Sequence, residues 1–209
     1  MVTRSQMFGR KVMPKKIFAL VALLVLAGCQ SPAPVAPPPQ EPPTPPVPHR
    51  AQQAPLPPFH SAGPLTKAAV AMYMDAQESD LRGYLRGQPV LVSRRGDGLA
   101  LMIQSDRIFD KDEISDWGDA LLRVVVPVLG HYDHTLVEVN GYSDDAGGAD
   151  KAIAASQKRA KAVADGLIHY GIAASRITAT GLGATNLRVA NASDPKNRRI
   201  EIKITPTPK

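Results

Sequence analysis

The stretch that decides the fold is residues 135–170, which read TLVEVNGYSDDAGGADKAIAASQKRAKAVADGLIHY. Its first six residues alternate apolar and polar side chains, which predicts a strand over Thr135–Asn140. From Ala149 to Tyr170 apolar residues recur at helical spacing, and Gly171 is a typical residue for ending a helix. The stretch therefore predicts a strand and a long helix joined by a polar, glycine-rich loop.

The flanking sequence supplies the remaining elements of one domain. Apolar residues at helical spacing predict two more helices, and short apolar or alternating runs predict four more strands. We expect the helices at 65–86 and 114–128, and the strands at 90–92, 99–103, 176–180 and 198–204. Because turn residues fill positions 94–98, the first two strands are expected to form a hairpin.

After the first helix, the order of the predicted elements is ββ-α-β-α-β-β. Strand–helix–strand units imply crossover connections and some parallel pairing. We therefore expect an α/β (α+β) fold, a two-layer sandwich with a preceding helix. One alternative stays open at residues 124–126, where three valines also suit a strand. Pro127 argues against a central strand there, and in a helix it would break or kink the last turn.

The charge of the chain is unevenly distributed. The sequence has 25 Lys and Arg residues against 19 Asp and Glu residues, a formal net charge of +6. Five of those cations and none of the acids precede Cys29, so the rest of the chain is close to neutral. A nucleic-acid-binding domain needs its excess cations on the folded part. We therefore expect no nucleic-acid partner.

The N-terminus has the pattern of a secretory signal. Basic residues precede an apolar run at 17–28, which is too short to span a hydrocarbon core of about 30 Å as a helix. The run ends Leu26-Ala27-Gly28-Cys29 and resembles a bacterial lipobox. In that resemblance Cys29 becomes the mature N-terminus and carries diacylglycerol and an N-acyl chain, and Gln30 favours sorting to the outer membrane. We expect no other cofactor. The only cysteine of the chain leaves no partner for an intrachain disulfide and no Cys-rich zinc site.

The segment that follows Cys29 is rich in proline. Thirteen of the 20 prolines fall between positions 32 and 58, a composition that favours an extended polyproline II arm over a helix or a central strand. We therefore divide the chain into a signal peptide at 1–28, the lipidated cysteine and linker at 29–63, a helical lead-in at 64–87, the main domain at 88–205 and a tail at 206–209.

A set of motifs in the main domain resembles the OmpA-like (Pal-type) peptidoglycan-binding domain. The resemblance covers residues from about 88 to 205, and the stretch before it is similar to YiaD-type lipoproteins of the same family. The motifs that carry it are Gly141-Tyr-Ser-Asp144, Gly147, Ser156-Gln-Lys-Arg159-Ala160, Gly171, Arg176-Ile177, Gly181-Leu-Gly183 and Asn197-Arg198-Arg199. Each motif alone is weak, whereas the ordered set behind a lipobox is specific.

The resemblance implies non-covalent binding of the meso-diaminopimelate of the peptidoglycan stem peptide. Asp144 matches the family's key acid and Arg159 its key arginine. The further positions carried over are Phe109, Asp110, Asp145, Ala146, Asn197 and Arg198. Diaminopimelate ends in one ammonium and one carboxylate on the same carbon, so an acid and a guanidinium are the appropriate partners. The loop after Asp144 can add backbone N–H groups near a helix start.

Structural roles remain open for several of these residues. Asp144 could serve only as an acid at the start of a helix, Asp110 could cap the next helix, and one of Arg198 and Arg199 is expected to be structural. The family often has Asn and Leu where this chain has Ala152 and Ala155, which would loosen a pocket. The two histidines of the segment His131–His134 lack an evident third ligand, so we expect no metal site.

The sequence thus predicts a lipid-anchored protein of the outer membrane that faces the periplasm and binds peptidoglycan without being an enzyme. Its expected partners are peptidoglycan, outer-membrane lipid and possible further envelope proteins. A signalling or assembly factor, in which the lead-in at 65–86 docks another protein, is the alternative. Adjacent acids such as Asp144 and Asp145 do not flank a scissile bond in the way glycosidases require, and no Ser-His-Asp set stands out.

Overall fold

The structure is a computed structural model that describes residues 65–208. The predicted signal peptide, Cys29 and the proline-rich linker lie outside the described residues. The helices are α1 (Val70–Tyr84), α2 (Ser105–Ile108), α3 (Asp116–His131) and α4 (Ala149–His169). The strands are β1 (Val90–Arg95), β2 (Gly98–Gln104), β3 (Phe109–Asp110), β4 (Glu113–Ile114), β5 (Thr135–Tyr142), β6 (Ile177–Gly181) and β7 (Arg199–Pro206).

Five of the strands form one sheet in the order β1-β2-β7-β5-β6. Strands β5 and β6 pair in parallel and are connected by helix α4, and the other neighbouring strands are antiparallel. The last strand, β7, is therefore inserted between β2 and β5. The expected hairpin, crossover and parallel pairing are all present.

The sheet has one buried and one solvated face, which makes the domain a two-layer sandwich and confirms the predicted fold class. In β7, Ile200, Ile202 and Ile204 are buried, whereas Glu201 and Lys203 between them point to the other face. On that solvated face, Lys203 Nζ lies 3.2 Å from Glu138 Oε2 of β5. The buried face packs against the helices.

Helix α4 lies close to the sheet because two strand residues have no side chain. A Cβ atom at Gly141 of β5 would overlap the carbonyl oxygen of Ser156, and one at Gly181 of β6 would overlap the backbone of Gln157. The glycines of the Gly141-Tyr-Ser-Asp and Gly181-Leu-Gly motifs thus set the distance between α4 and the sheet.

Helix α3 continues through Pro127, where a break or a kink was expected. Its N-cap is Ser115, whose Oγ accepts a hydrogen bond from the Gly118 N–H at 3.0 Å. The helix continues beyond Pro127 to His131, so the proline does not end it, and the alternative strand at 124–126 is wrong. Val124, Val125 and Val128 are buried. The carbonyl groups at its end are bound by Arg176, which donates to Leu129 O and Tyr132 O.

The lead-in helix α1 belongs to the same hydrophobic core as the rest of the domain. Tyr73, Met74 and Leu81 on its buried face are almost inaccessible to solvent. The Tyr73 hydroxyl accepts from the His134 N–H at 3.0 Å, and the guanidinium of Arg82 donates to Val92 O of β1 at 2.9 Å. That last contact occupies a backbone carbonyl of the sheet's edge strand.

The sequence pattern missed the segment between β2 and α3. It contains the one-turn helix α2 and the two-residue strands β3 and β4, which pair through Phe109 and Ile114. These elements are too short to show a hydrophobic period. No helix within residues 65–208 combines the length and the apolar character that a membrane span needs.

The close approach of α4 to β5 gives a stability prediction. Gly141→Ala should lower the free energy of unfolding by about 1–3 kcal/mol, because the new methyl group has to displace helix backbone. Urea denaturation of the detergent-solubilised protein followed by circular dichroism measures the change. The matched control is Gly83→Ala in α1, where a Cβ meets no atom within 4 Å and helix propensity favours alanine. A Gly141→Ala protein as stable as this control would contradict the packing argument.

Candidate functional site

The candidate site forms where three neighbouring strands end. Asp144 follows β5, Arg198 precedes β7 and Ser105 follows β2. Because β7 pairs with both β2 and β5, these three positions come to one end of the sheet. The Ser105 N–H donates to Arg198 O at 3.0 Å, which extends the β2–β7 pairing into the site.

A surface depression of about 360 Å³ lies at this end of the sheet. We call it the site depression; it is lined by Ser105, Asp106, Phe109, Lys111, Asp112, Arg159 and Arg198. Three residues singled out from the sequence, Phe109, Arg159 and Arg198, therefore meet here although they are far apart in the chain. Ser105, Asp106, Lys111 and Asp112 were missed, because they lie in the segment whose short elements had no readable period.

Arg159 projects from α4 and is half-buried. Its Nη1 is buried and has no hydrogen-bond partner among the described residues. A buried guanidinium nitrogen without an acceptor destabilises the folded state, because it has lost water and gained nothing in return. The unused donor of Arg159 is therefore available to an external acceptor.

Asp144 is connected to the site depression through Arg198. Its Oδ2 lies 3.4 Å from Arg198 Nε, and the Asp144 side chain is 15% exposed against 40% for Arg198. This is a loose ion pair with one exposed partner, so it adds little stability. No ion pair joins Asp144 to Arg159 in the described part of the chain. The acid is thus partly desolvated but weakly held, and a second cation can compete for it.

The loop after Asp144 is fixed by its own hydrogen bonds. The Asp145 N–H donates to Ala192 O at 3.1 Å, and Asp145 Oδ1 accepts from Ser193 Oγ at 2.7 Å. Gly148 has a φ of 88°, a conformation that suits glycine, and begins α4 without a side-chain cap. Ala146 lies exposed at the tip of this loop.

Asp110 lies beside the site depression. It lines a second depression of about 630 Å³ with Lys111, Asp112, Glu113 and Lys158. It does not cap α3, since Ser115 does so. Lys158 Nζ lies 2.9 Å from Asp112 Oδ2, and this hydrogen bond and charge lower the pKa of the exposed Asp112 carboxyl below its usual value.

Asn197 and Arg199 are structural in their contacts. Asn197 is fully buried; its Oδ1 accepts from the N–H groups of Arg188 and Val189, and its Nδ2 donates to Asn191 O at 2.8 Å. Its amide is therefore used to fold the loop before β7. Arg199 is buried with its guanidinium 3.7 Å above the Tyr142 ring centroid.

The open choice between the two arginines is thereby decided. Arg199 Nε lies 2.7 Å from Glu201 Oε1, and its other nitrogens donate to backbone carbonyls of Asn186 and Asn197. Arg198 instead lines the site depression. Burial raises the pKa of Tyr142, whose ring lies beneath Arg199.

The two alanines that depart from the family pattern lie on α4. Ala152 is buried in its first turn, and Ala155 is half-buried one turn later. Neither side chain can replace the polar or larger apolar group that the pattern favours. No group of three or more His, Cys, Asp or Glu side chains suited to a metal ion is present within residues 65–208.

A larger depression of about 850 Å³ lies at the other side of the domain, beside the start of α1 and the β1–β2 turn. Among its lining residues, Arg94 forms an ion pair with Asp75 and reaches Glu78 at 3.1 Å. No buried unpartnered polar side-chain atom of the described residues belongs to its lining. The site depression, with its unused guanidinium nitrogen, is the better candidate.

The contacts of the two neighbouring arginines predict effects on stability of very different size. Arg199→Ala should lower the free energy of unfolding by roughly 3 kcal/mol, because it leaves Glu201 and two carbonyls without their partner. Arg198→Ala should change it by less than about 0.5 kcal/mol, since its ion pair is loose and half-exposed. Thermal and urea unfolding of the two variants measure the difference; equal stabilities would refute the assignment.

Comparison with known proteins supports the resemblance seen in the motifs. Residues 109–201 match the model of the OmpA family, and residues 13–30 match the prokaryotic membrane lipoprotein lipid attachment site. The probable lipoprotein YiaD of Escherichia coli is 40% identical over 142 residues, which are 66% of this chain and 65% of that protein. The peptidoglycan-binding protein ArfA of Mycobacterium tuberculosis is 42% identical over 71 residues, 32% of this chain and 22% of ArfA.

Solved structures share the fold. A putative MotB-like protein from Desulfovibrio vulgaris has a TM-score of 0.58 at 21% identity, covering 66% of this chain and 95% of the other. The cell wall anchor of the T6SS from Pseudomonas aeruginosa has a TM-score of 0.53 at 29% identity, covering 62% of this chain and 96% of the other. Residues 109–201 thus match the OmpA family and residues 13–30 a lipoprotein attachment site, and the chain spans 65% of the length of YiaD and 22% of ArfA.

Proposed function

We propose that this protein is a lipid-anchored tether that binds peptidoglycan non-covalently through the meso-diaminopimelate of the stem peptide. The observation that carries the proposal is that Arg159, with its Nη1 buried and unused, lines the same depression as Arg198, which in turn forms an ion pair with Asp144. Two similar proteins point the same way, since ArfA is named as peptidoglycan-binding and the Pseudomonas aeruginosa protein as a cell wall anchor.

The chemistry of the Arg159 and Asp144 side chains matches the free end of diaminopimelate. Its carboxylate accepts a hydrogen bond from the unused donor of Arg159, and a guanidinium can bind a carboxylate through two parallel hydrogen bonds. Binding therefore removes an unsatisfied buried donor, which costs about 1–3 kcal/mol in the free protein. This contribution to the binding free energy is larger than that of an exposed ion pair, which stabilises by only about 0–1 kcal/mol.

The ammonium of the ligand binds the carboxylate of Asp144. In the free protein that carboxylate is engaged by Arg198 at 3.4 Å, so the ligand exchanges one cation for another instead of creating a new charge pair. Arg198 is exposed enough to turn into solvent when it is displaced. The exchange favours a zwitterionic end group over a simple amine, because only the former satisfies Arg159 as well.

Anchoring to the membrane would come from the other end of the chain. The lipid attachment match ends at Gln30 and includes Cys29, the only cysteine. We place the acyl chains of Cys29 in the outer membrane, because Gln30 follows it, and assign to the proline-rich arm the role of spacer. Many such tethers act together, so modest affinity at each site is sufficient.

The alternative role, a signalling or assembly factor that docks a partner through the lead-in, gains no support from the contacts of α1. The apolar face of α1 is used in the domain's own core. A partner would have to bind its exposed face, where Met72 is the one large exposed hydrophobic residue of the helix. We likewise propose that the site binds its ligand without a chemical reaction. The carboxylate of Asp144 is already paired with Arg198, and its role is to bind a positively charged group.

The proposal predicts that both Arg159 and Asp144 are needed for wall binding. Arg159→Ala and Asp144→Ala should each weaken co-sedimentation with purified diaminopimelate-containing sacculi at least tenfold, because each leaves one ligand charge unpaired. Free meso-diaminopimelate should compete with sacculi for the parent protein. Arg123→Ala, which removes an exposed α3 arginine paired only with groups on the protein surface, is the matched control. If both variants sediment as the parent does, the site assignment is wrong.

A further inference from the structure

Ser105 presents a second unused polar group to the site depression. Its side chain is buried, with the residue 4% exposed, and its Oγ has no hydrogen-bond partner among the described residues. The residue lines the same depression as Arg159, whose Nη1 is also buried and unpartnered. Three side chains of the described part of the chain have such atoms, and two of them meet at this one place. The third, Gln77, belongs to α1 and is not part of this lining.

Two other buried hydroxyl groups of the domain, those of Ser156 and Thr135, are used within the fold. Ser156 Oγ donates to Ile153 O and accepts from the Gly183 N–H, both at 2.9 Å. Thr135 Oγ1 donates to Tyr132 O and accepts from Arg176. A buried hydroxyl that makes no hydrogen bond lowers stability, so an unused one beside a binding site requires an explanation.

The backbone holds Ser105 in place. Its N–H donates to Arg198 O at 3.0 Å, and the preceding residue, Gln104, pairs with Arg199 in the β2–β7 ladder. Ser105 also begins the one-turn helix α2, which leads to Phe109 in the same lining. The backbone of Ser105 is therefore fixed by the β2–β7 pairing, and in its present rotamer the hydroxyl has no hydrogen-bond partner among the described residues.

We propose that Ser105 is a ligand-binding residue, whose hydroxyl donates a hydrogen bond to the carboxylate that Arg159 binds. This inference rests on the proposed function and assigns to the site a contact absent from the motifs that identify the family. Two donors from different elements, α2 and α4, then fix the orientation of one carboxylate. When the ligand's ammonium displaces Arg198 from Asp144, the wall of the depression that Arg198 forms opens next to Ser105.

The test compares stability with binding in the Ser105→Ala variant of the full chain in detergent. Removing an unsatisfied hydroxyl should leave the urea midpoint unchanged or raise it. The affinity for free meso-diaminopimelate, measured by calorimetry or by competition with sacculi, should fall about tenfold, the typical loss of a hydrogen bond to a charged group. Ser93→Ala on β1, outside the site lining, is the matched control and should bind as the parent does.

Pentane-1,5-diamine (cadaverine) serves as a second probe, because it keeps the two ammonium groups of diaminopimelate but lacks both carboxylates. Its competition should be equally weak with the parent and with Ser105→Ala. The inference would be overturned if Ser105→Ala bound diaminopimelate as tightly as the parent protein does. If in the same experiment the parent bound and Arg159→Ala did not, the proposed function would remain intact. A lowered urea midpoint, or equal losses for both probes, would show a structural role and also overturn it. A parent that binds no diaminopimelate would refute the proposed function and the inference together.

Discussion

The insertion of β7 between β2 and β5 is the constraint on which the site depends. These three strands are separated by long stretches of chain, yet the antiparallel pairing of β7 with both neighbours brings their ends together. Asp144, Arg198 and Ser105 are the residues found at those ends. The fourth residue of the site, Arg159, comes from α4, whose distance from the sheet is set by Gly141 and Gly181. A change in either the pairing or the helix approach would move Arg159 relative to Arg198 and Asp144 at this end of the sheet.

The electrostatic state of the site follows from this arrangement. Buried donors are left without acceptors on one side, while the acid on the other side is held by an exposed arginine. Such a site is less stable empty than a fully paired surface would be. A zwitterion that matches both charges removes that deficit, whereas neutral or singly charged molecules remove only part of it. On the function proposed above, specificity would come from the unused donors of Arg159 and Ser105 together with the loosely held carboxylate of Asp144.

Much of the fold could be predicted from the sequence because its main elements are long and periodic. The alternation in 135–140 and the helical spacing in 149–170 are local properties, and the structure has a strand and a helix there. Helix α3 shows the limit of such arguments, since it continues past Pro127 where a break was allowed. The place of β7 in the middle of the sheet could not be derived from local pattern, because it depends on pairing with β2 and β5, which are distant in the sequence.

The site was predicted unevenly for physical reasons. Phe109, Arg159 and Arg198 were indicated by motifs, and the structure places them around one depression. Whether Arg198 or Arg199 points inward depends on the register of β7, which the sequence left open. Asn197 was carried over with the motif, but its amide is consumed by the backbone of its own loop. Ser105 carries no signal in the sequence, since an unused hydroxyl is visible only when all its neighbours are known.

The most direct test of the account is a nuclear magnetic resonance titration of the ¹⁵N-labelled protein with free meso-diaminopimelate. We expect the largest shifts at the backbone N–H groups of Asp144, Arg159, Arg198 and Ser105 and at the Arg159 side chain, with saturation at a single affinity. Shifts centred instead on the depression around Arg94 and Asp75, or none in a folded protein, would contradict the claim that this end of the sheet is the binding site.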